Sequence, residues 1–588
     1  MKEKRKKIVL LENKHQTNAF LKKIENFREF IPITFSFEVE QLLDTRQIKY
    51  EMEENYEDNK IYREIHQTSI KATNKICNKL RLYYRGVDLF KAFYYDIYLL
   101  VSSSKKYLRL LQKIIKQKRP TEVITFENSK FSYHDKEYCR FILKKVFNGR
   151  SIINKYSANK NIDIRERTLI KIAGILQKFY AKFHIFLSGK SSNNIFVYGG
   201  KTYFESVCKG LMKNKKNRIF NFDGFLRKSY FIGRKYLPFY EFSGIYSKNQ
   251  NILMKKINIL KNQIFNLKFS KEFGTEKEIE EILKYKICSL MDRKFKQISK
   301  QVEEFYQLMK KGKINLILNS ADSVPLVYAM VMLAKSFKIP SVIAQHGFFN
   351  HEIGYRSISD YILASGEKIK QEYVYYGTEE DKVKVVGCPR YDVFTPPRFA
   401  KQSKKIIFYG MEVTNGNEIV ADTHLSKKRQ KEILRVLFKA LKMAPEYKLV
   451  VKSRPNWEMA NLPKKIADEE GFTNLKVIEK GDNIELMNNS DLIIINRSTL
   501  GIEALLLNRP VVSIYYKDLD LYNPFYETDF VQKIYNTEQV NHVISKLRRK
   551  SLGEIKRIRD KLNTYFLVDG NSTKMAVKLI ENILKDQR

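Results

Sequence analysis

Short apolar runs recur along the second half of this chain, each followed by a longer stretch with helical spacing. Residues 314–318, 341–344, 361–364 and 382–386 read as strands, with helices over 324–337 and 367–376 between them. The alternation restarts beyond residue 400. Strands are expected at 406–409, 447–452, 474–477, 492–495 and 511–514, with helices at 428–443, 463–470, 484–488 and 500–507. Runs that are apolar throughout suit strands covered on both faces, and strand–helix alternation implies parallel, doubly wound sheets. Thr395-Pro-Pro-Arg398, followed by Lys-rich sequence, is the clearest linker, because two prolines break regular structure and stiffen the connection.

The first half is less regular. It opens as strand, helix, strand at 7–12, 19–30 and 31–37. A mostly helical stretch follows over 62–118, then strands at 122–126 and 194–198 and a long Lys-rich helical region over 252–311. The C-terminal stretch 538–585 is mostly helical. The expected fold class is therefore α/β, with two Rossmann-like domains and a large helical elaboration in the N-terminal half. The division falls at residues 1–395 and 396–588.

Composition narrows the class. The chain has 588 residues, 43% of them hydrophobic, enough for more than one core. Lys and Arg number 108 against 65 Asp and Glu, a net charge of +43 that attracts polyanions or anionic membrane surfaces. The cations are dispersed, and no RNP-like or helix-turn-helix pattern accompanies them, so nucleic acid is not the expected partner. Five cysteines lie far apart with no CxxC pair, which argues against a zinc ribbon or disulfide framework and suits a reducing compartment. No run approaches the ~18 apolar residues needed to span a bilayer. The expected location is cytoplasmic, with the inner face of the cell membrane as a docking surface.

Candidate chemistry clusters at strand ends, where open α/β sheets bind ligands. The run 341–344 stops at Gln345, His346 and Gly347, which puts an imidazole able to accept a proton beside a residue that lets the backbone turn. His351 is a weaker candidate in the same loop. Asp322 follows strand 314–318, where it suits an acceptor contact, support of His346, or plain helix N-terminal placement. Gly410 follows strand 406–409, where it allows close approach to a ligand or simply a turn. Lys452 and Arg454 follow strand 447–452, and both bind phosphate oxygens, Arg bidentately and Lys as a point charge. Strand 492–495 runs into Asn496, after which Ser498 and Thr499 open a helix carrying Glu503. That arrangement suits a phosphate at the helix start and ribose hydroxyls on the carboxylate, and ordinary capping accounts for the same pattern. Asp518-Leu-Asp520 has the form of a metal-binding Asp-x-Asp but lies past the presumed cleft, so no metal is assigned. No Walker loop, HExxH or GxSxG occurs.

In order along the chain, five motifs carry a resemblance. They are Ile339-Pro-Ser-Val-Ile-Ala-Gln-His-Gly347, Ala364-Ser-Gly-Glu367, Val386-Gly-Cys-Pro-Arg-Tyr-Asp392, Val451-Lys-Ser-Arg-Pro455 and Asn496-Arg-Ser-Thr-Leu-Gly-Ile-Glu-Ala504, with Asp569-Gly570 before a final helix. On these the chain resembles the GT-B glycosyltransferases of surface and capsular polysaccharide synthesis, a group that includes polysialyltransferase-like enzymes, CDP-glycerol glycerophosphotransferases and UDP-N-acetylglucosamine 2-epimerases. The resemblance covers about residues 314–584. It implies a nucleotide-activated donor on the C-terminal domain and an acceptor on the N-terminal one. His346 would be catalytic, with Gln345, Gly347 and Asp322 on the acceptor side. Gly410, Lys452, Arg454, Asn496, Ser498, Thr499 and Glu503 would bind the donor. Many relatives have Lys-x-His-Pro where this chain has Lys452-Ser-Arg-Pro455, so Arg454 stands in place of a His. The implied function is transfer of a sugar from a nucleotide-sugar to a growing cell-surface polysaccharide or glycolipid, metal-independent and without a further cofactor. The alternatives are polyol-phosphate transfer of the CDP-glycerol type, sugar-nucleotide 2-epimerisation, an inactive scaffold with a degenerate donor site and, from another class, a basic nucleic-acid-binding protein.

Overall fold

The computed structural model describes residues 7–23, 25, 29–56, 59–128, 137–156, 193–199, 204–221, 236–238, 248–344, 357–394, 405–411, 427–453, 461–496, 498–514, 531–546 and 552–586. Among them the uniformly apolar runs are strands, as their composition demands, and they assemble into three sheets in which every pairing is parallel. The expected α/β class with Rossmann-like sheets is what forms, and the N-terminus adds a third such sheet of its own.

The first sheet is ordered Glu51–Met52, Phe30–Thr34, Lys7–Leu11, Glu122–Asn128, Arg150–Tyr156. The second is ordered Tyr236–Pro238, Asn217–Asn221, Asn193–Val197, Leu316–Asn319, Ser341–Ala344, Tyr361–Ala364, Val383–Val385. The third is ordered Leu475–Ile478, Lys448–Lys452, Ile406–Gly410, Leu492–Ile495, Val511–Ile514, Gln532–Ile534. Counted within each sheet, the order starts 3-2-1-4-5. The chain lays strands outward one way from the first and then reverses, leaving a crevice at the carboxyl ends of the first and fourth strands.

Local chemistry explains where the helices fall. The sequence predicts a first helix over 19–30, whereas the observed one is Lys14–Leu21. Asn13 sets its start, since its side chain accepts from the backbone N–H of His15 and Gln16 at 3.0 Å each. Ser36 ends the next strand early and caps a helix, Phe37–Thr45, that was expected to be strand in part. The stretch 62–118 is two long helices, Asn59–Lys79 and Tyr94–Lys118, separated by a small hairpin that turns through Arg85 and Gly86, both with positive φ, and by the short helix Leu89–Ala92.

The long helical region is the layer shared by the first two sheets. Ile8 and Leu10 of the first sheet and Phe196, Phe220 and Ile317 of the second lie in one continuous core with Ile97, Leu111, Ile287, Phe295 and Val302 from the helices between. The first sheet also touches the third. Phe37 packs among Ile433, Leu437 and Phe438, while Glu40 pairs with Lys431 at 3.6 Å and Asp44 with Lys465 at 2.5 Å. The last helix, Ser572–Asp586, returns from the third sheet to cover the second, burying Ala576, Ile580, Ile583 and Leu584 against Ile195, Leu316 and Val342.

The crevice of the first sheet is filled by the protein itself. Glu12, directly after Leu11, is buried, and its carboxylate accepts from the backbone N–H of Tyr138 (2.8 Å) and Cys139 (3.3 Å). Burial, then the neighbouring Glu137, pushes this carboxyl from its ordinary 4.5 up to about 8. A carboxyl that binds its proton more tightly folded than unfolded stabilises the fold in acid and withdraws that contribution as pH rises through its folded value. Wild-type protein should therefore lose stability between pH 4.5 and about 8 through this group. Glu12→Gln, which keeps the accepting oxygen and cannot titrate, should lose less over that range. Urea unfolding midpoints measured against pH in both proteins check this, and parallel curves would refute it.

Candidate functional site

The third sheet has the strand order of a dinucleotide-binding sheet, and its crevice lies between Gly410 and Asn496. Gly410 pairs in register with Lys452 on one side, so both residues lie along the same carboxyl edge. A Cβ on Gly410 would stand 2.9 Å from Cδ1 of Leu500, the tip of a side chain at the start of the helix that follows Leu492–Ile495. On the other side Asn496 is buried, with its side-chain amide donating to the carbonyl of Ile514 (2.8 Å) and its backbone carbonyl accepting from Ser513 Oγ (2.6 Å). These bonds lock the end of Leu492–Ile495 to its neighbour.

Ser498 and Thr499 lead into the helix Leu500–Leu506, as the sequence predicts. Ser498 Oγ accepts from Leu500 N (3.3 Å), while Thr499 occupies the cap position in helical geometry and makes no capping bond with its side chain. One turn on, Glu503 is buried, at 7% exposure, and its carboxylate is held by the guanidinium of Arg390. Burial raises the Glu503 carboxyl above its ordinary range, and Arg390 acts against that rise.

Lys452 is the third charge of the cluster. Its ammonium donates to the carbonyl of Gly481 (2.6 Å) and to Asn483 Oδ1. Burial lowers its pKa, and the negative charges of Asp482 and Glu503 oppose that. An ammonium has three N–H donors, and two are used here. Lys452, Glu503 and Arg390 thus form one electrostatic unit at the mouth of the crevice.

The sequence predicts Gly410, Lys452, Asn496, Ser498, Thr499 and Glu503 at one site, and the fold brings these six to the same sheet edge. Arg454, Gln345, His346 and Gly347 lie outside the described residues, as do His351, Asp518 and Asp520. What can be described is the strand that leads to His346. Ser341–Ala344 is fully buried, and Asn319 ties it to the next strand by donating to the carbonyl of Val342 (3.3 Å) and to Ser359 Oγ (3.2 Å). Asp322 is buried, and burial raises its carboxyl. Its Oδ2 takes Ser357 Oγ (2.6 Å), the N–H of Ile358 (2.9 Å), and both the N–H and Oγ of Ser359 (3.2 Å each). Asp322 therefore clamps the chain just where it leaves the 345–356 segment.

Arg390, the partner of Glu503, is a residue to which reading the sequence assigned no role. Its signal was its place between Pro389 and Tyr391, directly after the last strand of the second sheet. That segment, Pro389–Phe394, belongs to the core of the third sheet, where Tyr391 and Phe394 pack with Phe408, Ile493 and Ile502. Asp482, which caps the helix Asn483–Asn488, and Asn483, its first residue, were not singled out either, although a helix was expected at 484–488.

Among the described residues no group of three or more His, Cys, Asp or Glu is placed to hold a metal ion, and no helix is long and apolar enough to cross a membrane. A search of curated proteins returned no match. Among solved structures the fold is similar to UDP-GlcNAc 2-epimerase from Neisseria meningitidis, 15% identical, covering 66% of this chain and 100% of that one with a TM-score of 0.40. It is similar to MurG of Acinetobacter baumannii, 13% identical, covering 66% and 99% with a TM-score of 0.38. It is also similar to the wall teichoic acid polymerase TagF, 13% identical, covering 71% and 99% with a TM-score of 0.39. These likenesses are remote, and the site is read from the chain's own residues. Residues 309–515, which hold the last four strands of the second sheet and five of the six strands of the third, match the family of capsule polysaccharide biosynthesis proteins.

Proposed function

We propose that this chain is a glycosyltransferase of surface-polysaccharide synthesis, moving a sugar from a nucleotide-activated donor to a glycan or lipid-linked acceptor. The observation that carries the reading is the cluster of Lys452, Arg390 and Glu503 at the crevice of a sheet with dinucleotide-binding strand order. The family match over 309–515 supports the polysaccharide part of it. In this reading residues 396–588 bind the donor and residues 1–395 face the acceptor.

The chemistry follows from charge. As the glycosidic bond to the leaving nucleotide breaks, negative charge grows on the phosphate oxygens, and fixed cations there lower the barrier. Lys452 and Arg454 supply them. Glu503 accepts from the ribose hydroxyls, and Arg390 is a positioning residue that holds this buried carboxylate in place and opposes the effect of its burial. His346, as a neutral imidazole, takes the proton from the attacking acceptor hydroxyl, with Gln345 and Gly347 beside it. Asp322 holds the far end of that loop through Ser357 and Ser359.

A panel of CMP-, CDP-, UDP- and GDP-linked donors tests the reading. One of them should raise the unfolding temperature of the pure protein and be consumed only when acceptor is added. Consumption without acceptor would point to epimerisation, and no response to any donor would sink the proposal. His346→Ala should lose roughly 10²- to 10⁴-fold in turnover and still bind the donor. Full turnover in that variant would remove His346 from the mechanism.

The ion pair makes a separate prediction. Glu503 is protonated more readily in the fold than free in water, so its contribution is greatest in acid and falls as pH rises through its folded value. Removing Arg390 takes away the group that restrains this shift. Arg390→Gln should lose about 3 kcal/mol at neutral pH, the scale of breaking a buried pair, and recover much of it on acidification. Adding Glu503→Gln should restore stability at neutral pH. An Arg390→Gln deficit that is independent of pH would show that the pair does not work this way.

A further inference from the structure

One helix of the long helical region is packed on one side and open on the other. Lys248–Asn266 buries Leu253, Ile257 and Ile264 in the core shared by the first two sheets, together with Phe269 and Leu283. On the opposite face, three or four residues apart, stand Ile252, Lys255, Lys256, Ile259, Gln263 and Asn266, all exposed. Among the described residues six large hydrophobic side chains are more than half exposed. Three of them lie on this helix: Ile252 at 51%, Ile259 at 60% and, to one side near its end, Phe265 at 51%. Single exposed apolar residues are ordinary. Their gathering on one helix calls for a partner.

The charge along the helix is of one sign. Residues 248–271 contain six Lys and no Asp or Glu. Lys261 is taken by Asp292 at 2.7 Å. The ammonium groups of Lys255 and Lys256, on the outer face, meet no acid or acceptor among the described residues. They stand between two isoleucines about 10 Å apart along the helix axis.

That combination fits the surface of an anionic membrane. Aliphatic tips enter the boundary between head groups and acyl chains, while ammonium groups stay level with the phosphates. A second copy of this chain fits less well, because two such faces would set Lys against Lys with no acid on either. A single strand of nucleic acid would want a row of aromatic rings on which bases stack, and this helix has one. We propose that the outer face of Lys248–Asn266 lays the protein on a membrane of anionic phospholipid, with Ile252, Ile259 and Phe265 inserted and Lys255 and Lys256 on the phosphates. The inner face is fixed in the core, so the helix lies flat on the bilayer. Docking needs neither donor nor turnover, so the proposal stands or falls apart from the transferase reading.

Co-sedimentation of the full-length protein with vesicles tests it. The protein should bind vesicles of phosphatidylcholine mixed with phosphatidylglycerol and leave vesicles of phosphatidylcholine alone. The double variants Ile252→Ser, Ile259→Ser and Lys255→Gln, Lys256→Gln should each bind about 25-fold more weakly, about fivefold per residue. Both pairs are exposed, so the unfolding temperatures of these variants should match the wild type. A control on the last helix, Lys574→Gln, Lys578→Gln, removes the same charge from exposed positions and should leave binding nearly intact. Ile259→Trp adds a reporter to a chain whose one native Trp is Trp457. Its added emission should shift to the blue with the mixed vesicles and stay put with phosphatidylcholine alone. Full binding by the Ile pair variant, or an unshifted emission, would mean that the apolar tips do not insert. Equal loss in the Lys pair variant and the control would mean that net charge alone is responsible. Self-association of the protein that the Ile pair variant abolishes, with no binding to vesicles, would make a second copy the occupant. Any of these results overturns the proposal.

Discussion

A strand can pair in parallel with its neighbour only if the chain first travels back over a face of the sheet, because no tight turn joins two parallel ends. That constraint governs all three sheets. Every connection becomes a crossover, every crossover covers a face, and strands so covered are mostly apolar, as Leu492–Ile495 is throughout. When the chain reverses its direction of travel across the sheet, the crossovers on either side part company and the carboxyl edge opens between them. The residues of the donor cluster hang from this opening in the third sheet. Their positions are set by rigid strands rather than by the loops that carry them.

The same opening meets opposite fates in the first and third sheets. In the first, the residue after the leading strand is Glu12, and its carboxylate fills the gap by taking the N–H groups of Tyr138 and Cys139. In the third, the leading strand ends in Gly410, which has no side chain to place there. Equal topology therefore does not confer equal capacity for a ligand. One residue at the strand end decides it, and the buried carboxylates mark the difference. Glu12 is satisfied by backbone of its own lobe, whereas Glu503 depends on an arginine brought from Pro389–Phe394.

Legibility in the sequence followed burial. Central strands, covered on both faces, announce themselves as apolar runs, and their ends locate Gly410, Lys452 and Asn496 closely. Three edge strands were not read, Glu51–Met52, Arg150–Tyr156 and Gln532–Ile534, which have a neighbour on one side only and a mixed composition, whereas the edge strands Val383–Val385 and Leu475–Ile478 were. The first helix was placed too late because its apolar spacing was weighed above the Asn13 cap that starts it. The helical region up to residue 311 carried a clear pattern, but no pattern within it says that its inner face is shared by two sheets. Asp322 was visible as an acid after a strand, and its clamp was not, since its partners Ser357 and Ser359 lie some 35 residues on. Arg390 stood in plain view in a motif and could not be assigned, because its partner is 113 residues away.

Arg390 sits where the chain crosses between its two large halves, and the crossing is fixed twice. Going forward, Tyr391 and Phe394 plunge into the core of the third sheet immediately after the second sheet's last strand. Coming back, the last helix starts on Asp392, whose carboxylate accepts from the N–H of Ser572 (3.2 Å) and Thr573 (2.8 Å) before that helix covers the second sheet. Gly366, at the start of Glu367–Tyr375, lets the backbone at Tyr565 pass where any Cβ would collide with it. Both crossings therefore converge within two residues of Arg390. A change in the angle between the halves must either release the Asp392 cap or carry Arg390 with it, and Glu503 would then lose the charge that opposes the effect of its burial. The state of a carboxylate in the third sheet is in this way tied to the placement of the second.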